Sequence, residues 1–196
     1  MIRQGKNADK ETLMRLWKYC FPGDTDAFIQ FYFDKVYAND ETLIYEENNQ
    51  PVAALQMIPY QIKTSDHLLW GGYIAGAMTH PAYRKKGYMA QLLYASFDEM
   101  IKKGYDYTFL IPQEKWLVRM YAKYGFRLCE PSHYPPENKV LKSPKQWADI
   151  QQIHFDENGV WLENEPIIPI EHKGMIKRLN PKAKEITSLY MGMMLD

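Results

Sequence analysis

The sequence predicts an α/β domain, and three observations carry that prediction. Helix-spaced apolar residues open the chain. Segments rich in β-formers and bounded by turn residues follow. An apolar strand then runs into a basic, glycine-containing turn that leads into an amphipathic helix.

The first helix is expected to start near residues 7–9, with Leu13, Leu16 and Trp17 on one face and Pro22-Gly23 as its end. Asp24 or Thr25 can cap a second helix carrying Phe28, Ile29, Phe31, Tyr32 and Val36. Residues 42–46 read as a strand, Asn48-Asn49-Gln50-Pro51 as a turn, and residues 52–62 as the returning strand, which Pro59 should bulge or bend. After a turn at Thr64-Ser65-Asp66, residues 68–79 form an apolar strand closed by His80-Pro81. The helix beyond the basic turn runs through Met89, Leu92, Leu93, Phe97 and Ile101, and Gly104 caps it. Residues 107–111 make a short apolar strand, residues 114–123 a short helix closed by Gly125, and Phe126 starts another strand.

Between Pro131 and Pro136 the pattern breaks. A core unit is therefore expected over residues 1–135, and a C-terminal extension packing on it over 136–196. The extension shows one strand signal at 159–162 and a last helix over 182–193.

The apolar fraction of 46% suffices for a real core. Lys plus Arg balances Asp plus Glu at 24 each, so no global charge draws the protein to nucleic acid or an anionic membrane, and neither is an expected partner. Cys20 and Cys129 stand far apart without CxxC company, which argues against a disulfide scaffold and suits a reducing, cytoplasmic setting. The five histidines are scattered without paired-ligand spacing, so no metal is expected. No apolar stretch long enough to span a bilayer and no export signal is apparent.

The chemistry concentrates where the apolar strand stops. The first amides of a helix lack internal acceptors and carry partial positive charge, so they suit a phosphate or diphosphate. Gly87 lets such a group approach the backbone, and Arg84, Lys85 and Lys86 add cationic donors. A solvated basic turn before an ordinary helix is the plain alternative. Neither a GxxxxGK[ST] loop nor a GxGxxG fingerprint is present.

Thr79-x-Pro81-x-x-Arg84-x-x-Gly87-x-Met89 resembles motif A of the GNAT acetyltransferase superfamily, with Met89 where the family has a small residue. The bulky residue there is more similar to the enhanced-intracellular-survival-type branch. Tyr121-Ala122-Lys123-Tyr124-Gly125-Phe126 resembles motif B of the same superfamily. The resemblance implies a mixed, mostly antiparallel sheet flanked by helices and splayed at an acyl-CoA groove. It implies acetyl-CoA as cosubstrate, with Ala77, Met78 and Thr79 bonding the pantetheine arm through their backbone. Arg84, Lys85, Lys86, Gly87, Tyr88, Met89 and Ala90 would surround the diphosphate. Tyr121 would protonate the departing thiolate.

The base stays open among Glu114, His80, a water chain and the C-terminal carboxylate of Asp196, since Ala75, Gly76 and Ala77 offer no carboxylate. The implied acceptor is a small-molecule or peptide amine. Many relatives dimerise, which leaves a homodimer open. Two other functions compete with transfer: an acyl-CoA-binding sensor of the same fold with little turnover, and a nucleotide-phosphate binder without acyl chemistry.

Overall fold

Strand β1 (Ile2–Gln4) opens the chain, and its register against residues 43–45 starts the sheet. The computed structural model describes residues 1–129, 139–140, 153–155, 161–163 and 174–189. A 3-10 turn at Asn7–Asp9 leads into α1 (Lys10–Cys20), which buries Leu13, Leu16 and Trp17 as their spacing requires. Thr25, not Asp24, caps α2 (Asp26–Lys35): its hydroxyl accepts the Phe28 N–H at 3.1 Å. The Trp17 ring meets Phe21, Phe28, Tyr32 and Phe33, with centroids 4.5 Å apart for Tyr32.

β2 (Thr42–Glu47) and β3 (Gln50–Lys63) form a hairpin. Asn48 and Asn49 both have positive φ, 51° and 59°, as a tight two-residue hairpin turn requires. β3 runs unbroken through Pro59, and the register irregularity of the β2–β3 ladder lies elsewhere, between Tyr45 and Glu46 opposite Ala53 and Pro51. The pairing with β2 ends at Gln56, and the pairing with β7 (Lys139–Val140) begins at Ile62. Pro59 lies between the two, where its missing N–H leaves no gap in either of these ladders.

β4 (Leu68–Thr79) ends in a 3-10 turn, Pro81–Tyr83, and α3 (Tyr88–Lys102) follows. α3 crosses over to β5 (Tyr107–Leu110), which pairs parallel with β4 over Gly71–Tyr73. On α3 the buried residues are Leu92, Leu93, Ser96, Phe97 and Met100, whereas Ile101 is exposed. Met100 falls at the centre of the helix face that Leu92, Leu93, Ser96 and Phe97 define, whereas Ile101 falls beyond its edge. α4 (Lys115–Ala122) and the two-residue strand β6 (Arg127–Leu128) come next.

β8 (Ile153–Phe155) and β9 (Trp161–Glu163) make a separate two-stranded sheet. The expected strand at 159–162 is met in part by β9, with residues 159–160 outside the described residues. β10 (Met175–Arg178) pairs antiparallel with both β5 and β6. The main sheet has the order β1-β2-β3-β4-β5-β10-β6, with β7 on β3. The β4–β5 pair is parallel, and β1–β2, β2–β3, β3–β7, β5–β10 and β6–β10 are antiparallel.

The expected last helix over 182–193 is absent from its described part, residues 182–189. Backbone carbonyls there accept from side chains instead: Lys184 from the Tyr107 hydroxyl, and Ile186 from Arg127 at 2.5 Å. The Asn180 side chain takes the Lys182 N–H at 3.0 Å, holding a turn after which no helical ladder starts.

Two units divide the chain. One comprises Met1–Ile58, Ile74–Asp98 and Phe155–Leu162, the other Pro59–Tyr73, Glu99–His154 and Glu163–Asp196. The aromatic cluster on Trp17 is the core of the first. In the second, Tyr60 packs edge to face on Tyr73 and Phe109, which are tilted against each other, at centroid distances of 5.6 to 6.2 Å.

Candidate functional site

In the first unit, β4 delivers the chain to the basic turn. Gly76 has φ +53°, a kink in the strand, and a Cβ there would lie 2.7 Å from the Trp17 ring. Beyond the kink Met78 is buried, while Ala77 and Thr79 are half-buried. The Thr79 carbonyl accepts from the Cys20 thiol at 3.4 Å and from Arg84 Nε at 3.2 Å. Burial pushes the Cys20 thiol above its ordinary pKa, and the hydrogen bond with Arg84 pulls against that rise. One end of the loop is thus tied to the strand.

Lys85 adopts φ +64°, left-handed backbone that costs a non-glycine residue roughly 1–2 kcal/mol. Gly87 follows at φ +78°, and nothing lies within 4 Å of where its Cβ would stand. The Gln91 N–H bonds the Gly87 carbonyl at 3.1 Å, so Tyr88, Met89 and Ala90 supply the first amides of α3. Those three have no acceptor within the helix. The arrangement is an open corner with left-handed backbone, free amides and exposed cations, and an anion fits it.

Lys86 does not point freely into solvent. Its ammonium stands 3.5 Å from Glu47 Oε1 and over the rings of Tyr83 and Tyr88, at 4.8 and 5.8 Å. The Tyr88 hydroxyl donates to Glu47 Oε2 at 2.8 Å, and the Tyr45 ring stacks on Tyr88 at 4.0 Å. The hydrogen bond to this carboxylate pushes the Tyr88 phenol up to about 12.

In the second unit, Tyr121 sits on α4 with its ring edge-on to Phe126 at 5.7 Å. It is 7% exposed, and burial alone pushes its phenol up to about 12. Among the described residues no hydrogen bond engages its hydroxyl. α4 ends as the sequence predicts: the Gly125 N–H bonds Ala122 and the Phe126 N–H bonds Tyr121. Lys177 reaches over this cap, with its ammonium 2.9 Å from the Tyr124 carbonyl.

Of the candidate bases, Glu114 precedes α4 and accepts the Trp116 indole N–H at 2.8 Å. His80 Nδ1 accepts the Ala82 N–H at 3.3 Å. Asp196 lies outside the described residues.

Sequence reasoning brought Thr79 through Ala90 to one corner and missed Gly76, Tyr45 and Glu47. A glycine inside an apolar strand is itself a signal of a kink or close approach. Nothing local in Tyr45-Glu46-Glu47 signals a partner on α3.

A model of the acetyltransferase (GNAT) domain matches residues 1–129. Among solved structures, the chain is similar to the GNAT-family YhbS of Escherichia coli in complex with CoA, at 17% identity and TM-score 0.60, over 97% of this chain and 88% of that one. It is also similar to a conserved protein of unknown function from Enterococcus faecalis, a probable N-acyltransferase, at 16% identity and TM-score 0.58, over 65% of this chain and 32% of that one. Eis1 of Mycobacterium abscessus matches at 12% identity and TM-score 0.56, over 64% of this chain and 31% of that one. The chain spans about a third of the length of the latter two. At these identities the likeness is one of fold. No curated protein matches the chain.

Proposed function

This chain belongs to the GNAT acetyltransferase family, and we propose that it moves an acetyl group from acetyl-CoA to a primary amine by direct attack of the amine on the thioester. One observation carries the cofactor part of this reading. The amides of Tyr88, Met89 and Ala90 open α3 beside Gly87, whose φ of +78° leaves open space where a Cβ would stand. A similar structure holding CoA adds support.

In this reading the amides and cations of Arg84 to Ala90 surround the diphosphate, and Met89 turns its side chain from it. The backbone of Ala77, Met78 and Thr79 holds the pantetheine arm. Two donors already occupy the Thr79 carbonyl. The Thr79 N–H, with the backbone of Ala77 and Met78, is therefore assigned to the arm's amides.

The step is simple to balance. The amine nitrogen bonds the acetyl carbon, the C–S bond breaks, the sulfur leaves as thiolate, and the nitrogen gives up a proton to a base. Tyr121 stabilises the thiolate. With its phenol pushed to about 12 and an aliphatic thiol near ~8.5, complete proton transfer is uphill by roughly 5 kcal/mol. Tyr121 therefore acts first as a hydrogen-bond donor to the developing charge. Glu114, His80, water and the Asp196 carboxylate remain the choices for the base.

Residues 1–135 form the catalytic unit in this proposal, with β10 supplied to its sheet from the 136–196 extension. The enhanced-intracellular-survival-type branch, a cytoplasmic setting and a homodimer belong to the same reading. Among the described residues no helix is long and apolar enough to cross a membrane.

The test is direct. Coenzyme A at ~100 times its dissociation constant should add about 2.7 kcal/mol to stability, and acetyl-CoA with a panel of amines should release thiol. No thermal shift with coenzyme A ends the reading. A shift accompanied by equally slow thiol release with every amine would favour a sensor, which the missing carboxylate at Ala75-Gly76-Ala77 also suits.

A further inference from the structure

Glu47 is a charge at this corner with no role yet assigned, and its two oxygens do different things. Oε1 faces the Lys86 ammonium at 3.5 Å, and Oε2 accepts the Tyr88 hydroxyl at 2.8 Å. Lys86 and Tyr88 are the residues on either side of Gly87. One carboxylate thus holds both flanks of the position where the backbone turns left-handed.

An exposed ion pair alone contributes little, and this one is 47% and 29% exposed on its two side chains. The surroundings add to it. Tyr45 stacks on Tyr88 with planes 12° apart, and Lys86 lies over two aromatic faces. Arg84 anchors the other end of the loop to the Thr79 carbonyl. Between the anchors sits Lys85 at φ +64°. Backbone strain of that kind persists only where flanking contacts hold it.

We infer that Glu47 is the positioning residue of the cofactor loop: from the end of β2 it fixes Lys86 and Tyr88 together and so presets the amides opening α3 for the diphosphate of coenzyme A. The inference rests on the reading that this corner binds coenzyme A. Presetting lowers the ordering cost that the ligand would otherwise bear. A carboxylate near an anion site also repels the anion and competes for its lysine, and these effects have the opposite sign. The sign of the substitution effect therefore decides.

Three readouts on Glu47→Ala and Glu47→Gln test it. In the unliganded protein, the Gln91 amide, which bonds the Gly87 carbonyl, should exchange about tenfold faster in Glu47→Ala. The dissociation constant of coenzyme A and the KM for acetyl-CoA should each rise about tenfold, with kcat within about twofold. Glu47→Gln keeps an acceptor for Tyr88 and should recover part of each loss. In the Glu47→Ala background, Tyr88→Phe should add nothing further, because the bond it removes is already gone.

Tighter coenzyme A binding in either variant would overturn the inference, as would unchanged exchange and unchanged KM. If the parent protein ignores coenzyme A while Glu47→Ala still speeds Gln91 exchange, the cofactor reading fails. The ligand half of the inference then falls with it, and Glu47's hold on the loop stands.

Discussion

Replacing Gly76 with alanine probes the kink that carries β4 into the site. Two costs add. At φ +53° an alanine pays roughly 1–2 kcal/mol for left-handed backbone. Its methyl would also stand 2.7 Å from the Trp17 ring. That ring has little room to retreat: it is 6% exposed, its N–H is tied to Asp24 at 2.6 Å, and Tyr32 and Phe21 abut it at 4.5 and 5.1 Å. Overpacking of this kind costs roughly 1–3 kcal/mol. The sum is about 2–5 kcal/mol, a large share of an ordinary domain's stability. At about 2–4 °C per kcal/mol for a chain of this size, the melting point should fall by about 4–20 °C.

Urea unfolding followed by tryptophan fluorescence measures the cost, with an unchanged slope expected. Gly87→Ala is the matched control, because it pays the backbone cost at φ +78° and meets nothing within 4 Å. Trp17→Leu in the Gly76→Ala background should return part of the loss. Equal costs at Gly76 and Gly87, or a loss under about 1 kcal/mol at Gly76, would refute the steric argument.

The other predictions concern the proposed chemistry and the sheet's first ion pairs. Gly87→Asp should leave the fold within about 2 kcal/mol of the parent and weaken coenzyme A by more than roughly a hundredfold in titration calorimetry, from like-charge contact. Tyr121→Phe should lower kcat about 10- to 100-fold and leave coenzyme A affinity within about twofold. Because burial raises the phenol to about 12, the parent's kcat should show no alkaline loss from this group until within about a unit of that value.

Asp9 accepts from Arg3 at 2.7 and 2.8 Å and from the Lys6 N–H at 2.8 Å. The Arg3 hydrogen bond holds its carboxyl below the ordinary range. The stabilisation is therefore complete above the unfolded-state pKa and is lost as pH falls through the folded one. Asp9→Asn should cost about 1–3 kcal/mol at neutral pH, and the gap to the parent should close in acid melts.

Local signals made much of this protein legible. Leu13, Leu16 and Trp17 share a helix face because an α-helix repeats every ~3.6 residues, and they are buried as that period demands. Asn48-Asn49, Gly104 and Gly125 mark turns and ends because their φ preferences are intrinsic to the residue. The corner from Thr79 to Ala90 could be read because strand, turn and helix start are contiguous in sequence. Other features were not local. Ile101, expected on the apolar face of α3, is exposed, while Met100 is buried there. Pro59 falls between the stretches of β3 that pair with β2 and with β7, so neither of those ladders needs its N–H.

What the sequence determined by itself was the order of the elements from α1 to β6, several of their ends, and an anion-suited helix start after Gly87. The tertiary structure alone decided that β10 joins the sheet between β5 and β6, that residues 182–189 lend their carbonyls to Tyr107 and Arg127, and that Glu47 reaches Lys86 and Tyr88. The reason is physical. Backbone preference and hydrophobic period act over a few residues, whereas a strand's partner and a carboxylate's partner are chosen by whichever distant groups the folded chain brings within hydrogen-bonding reach.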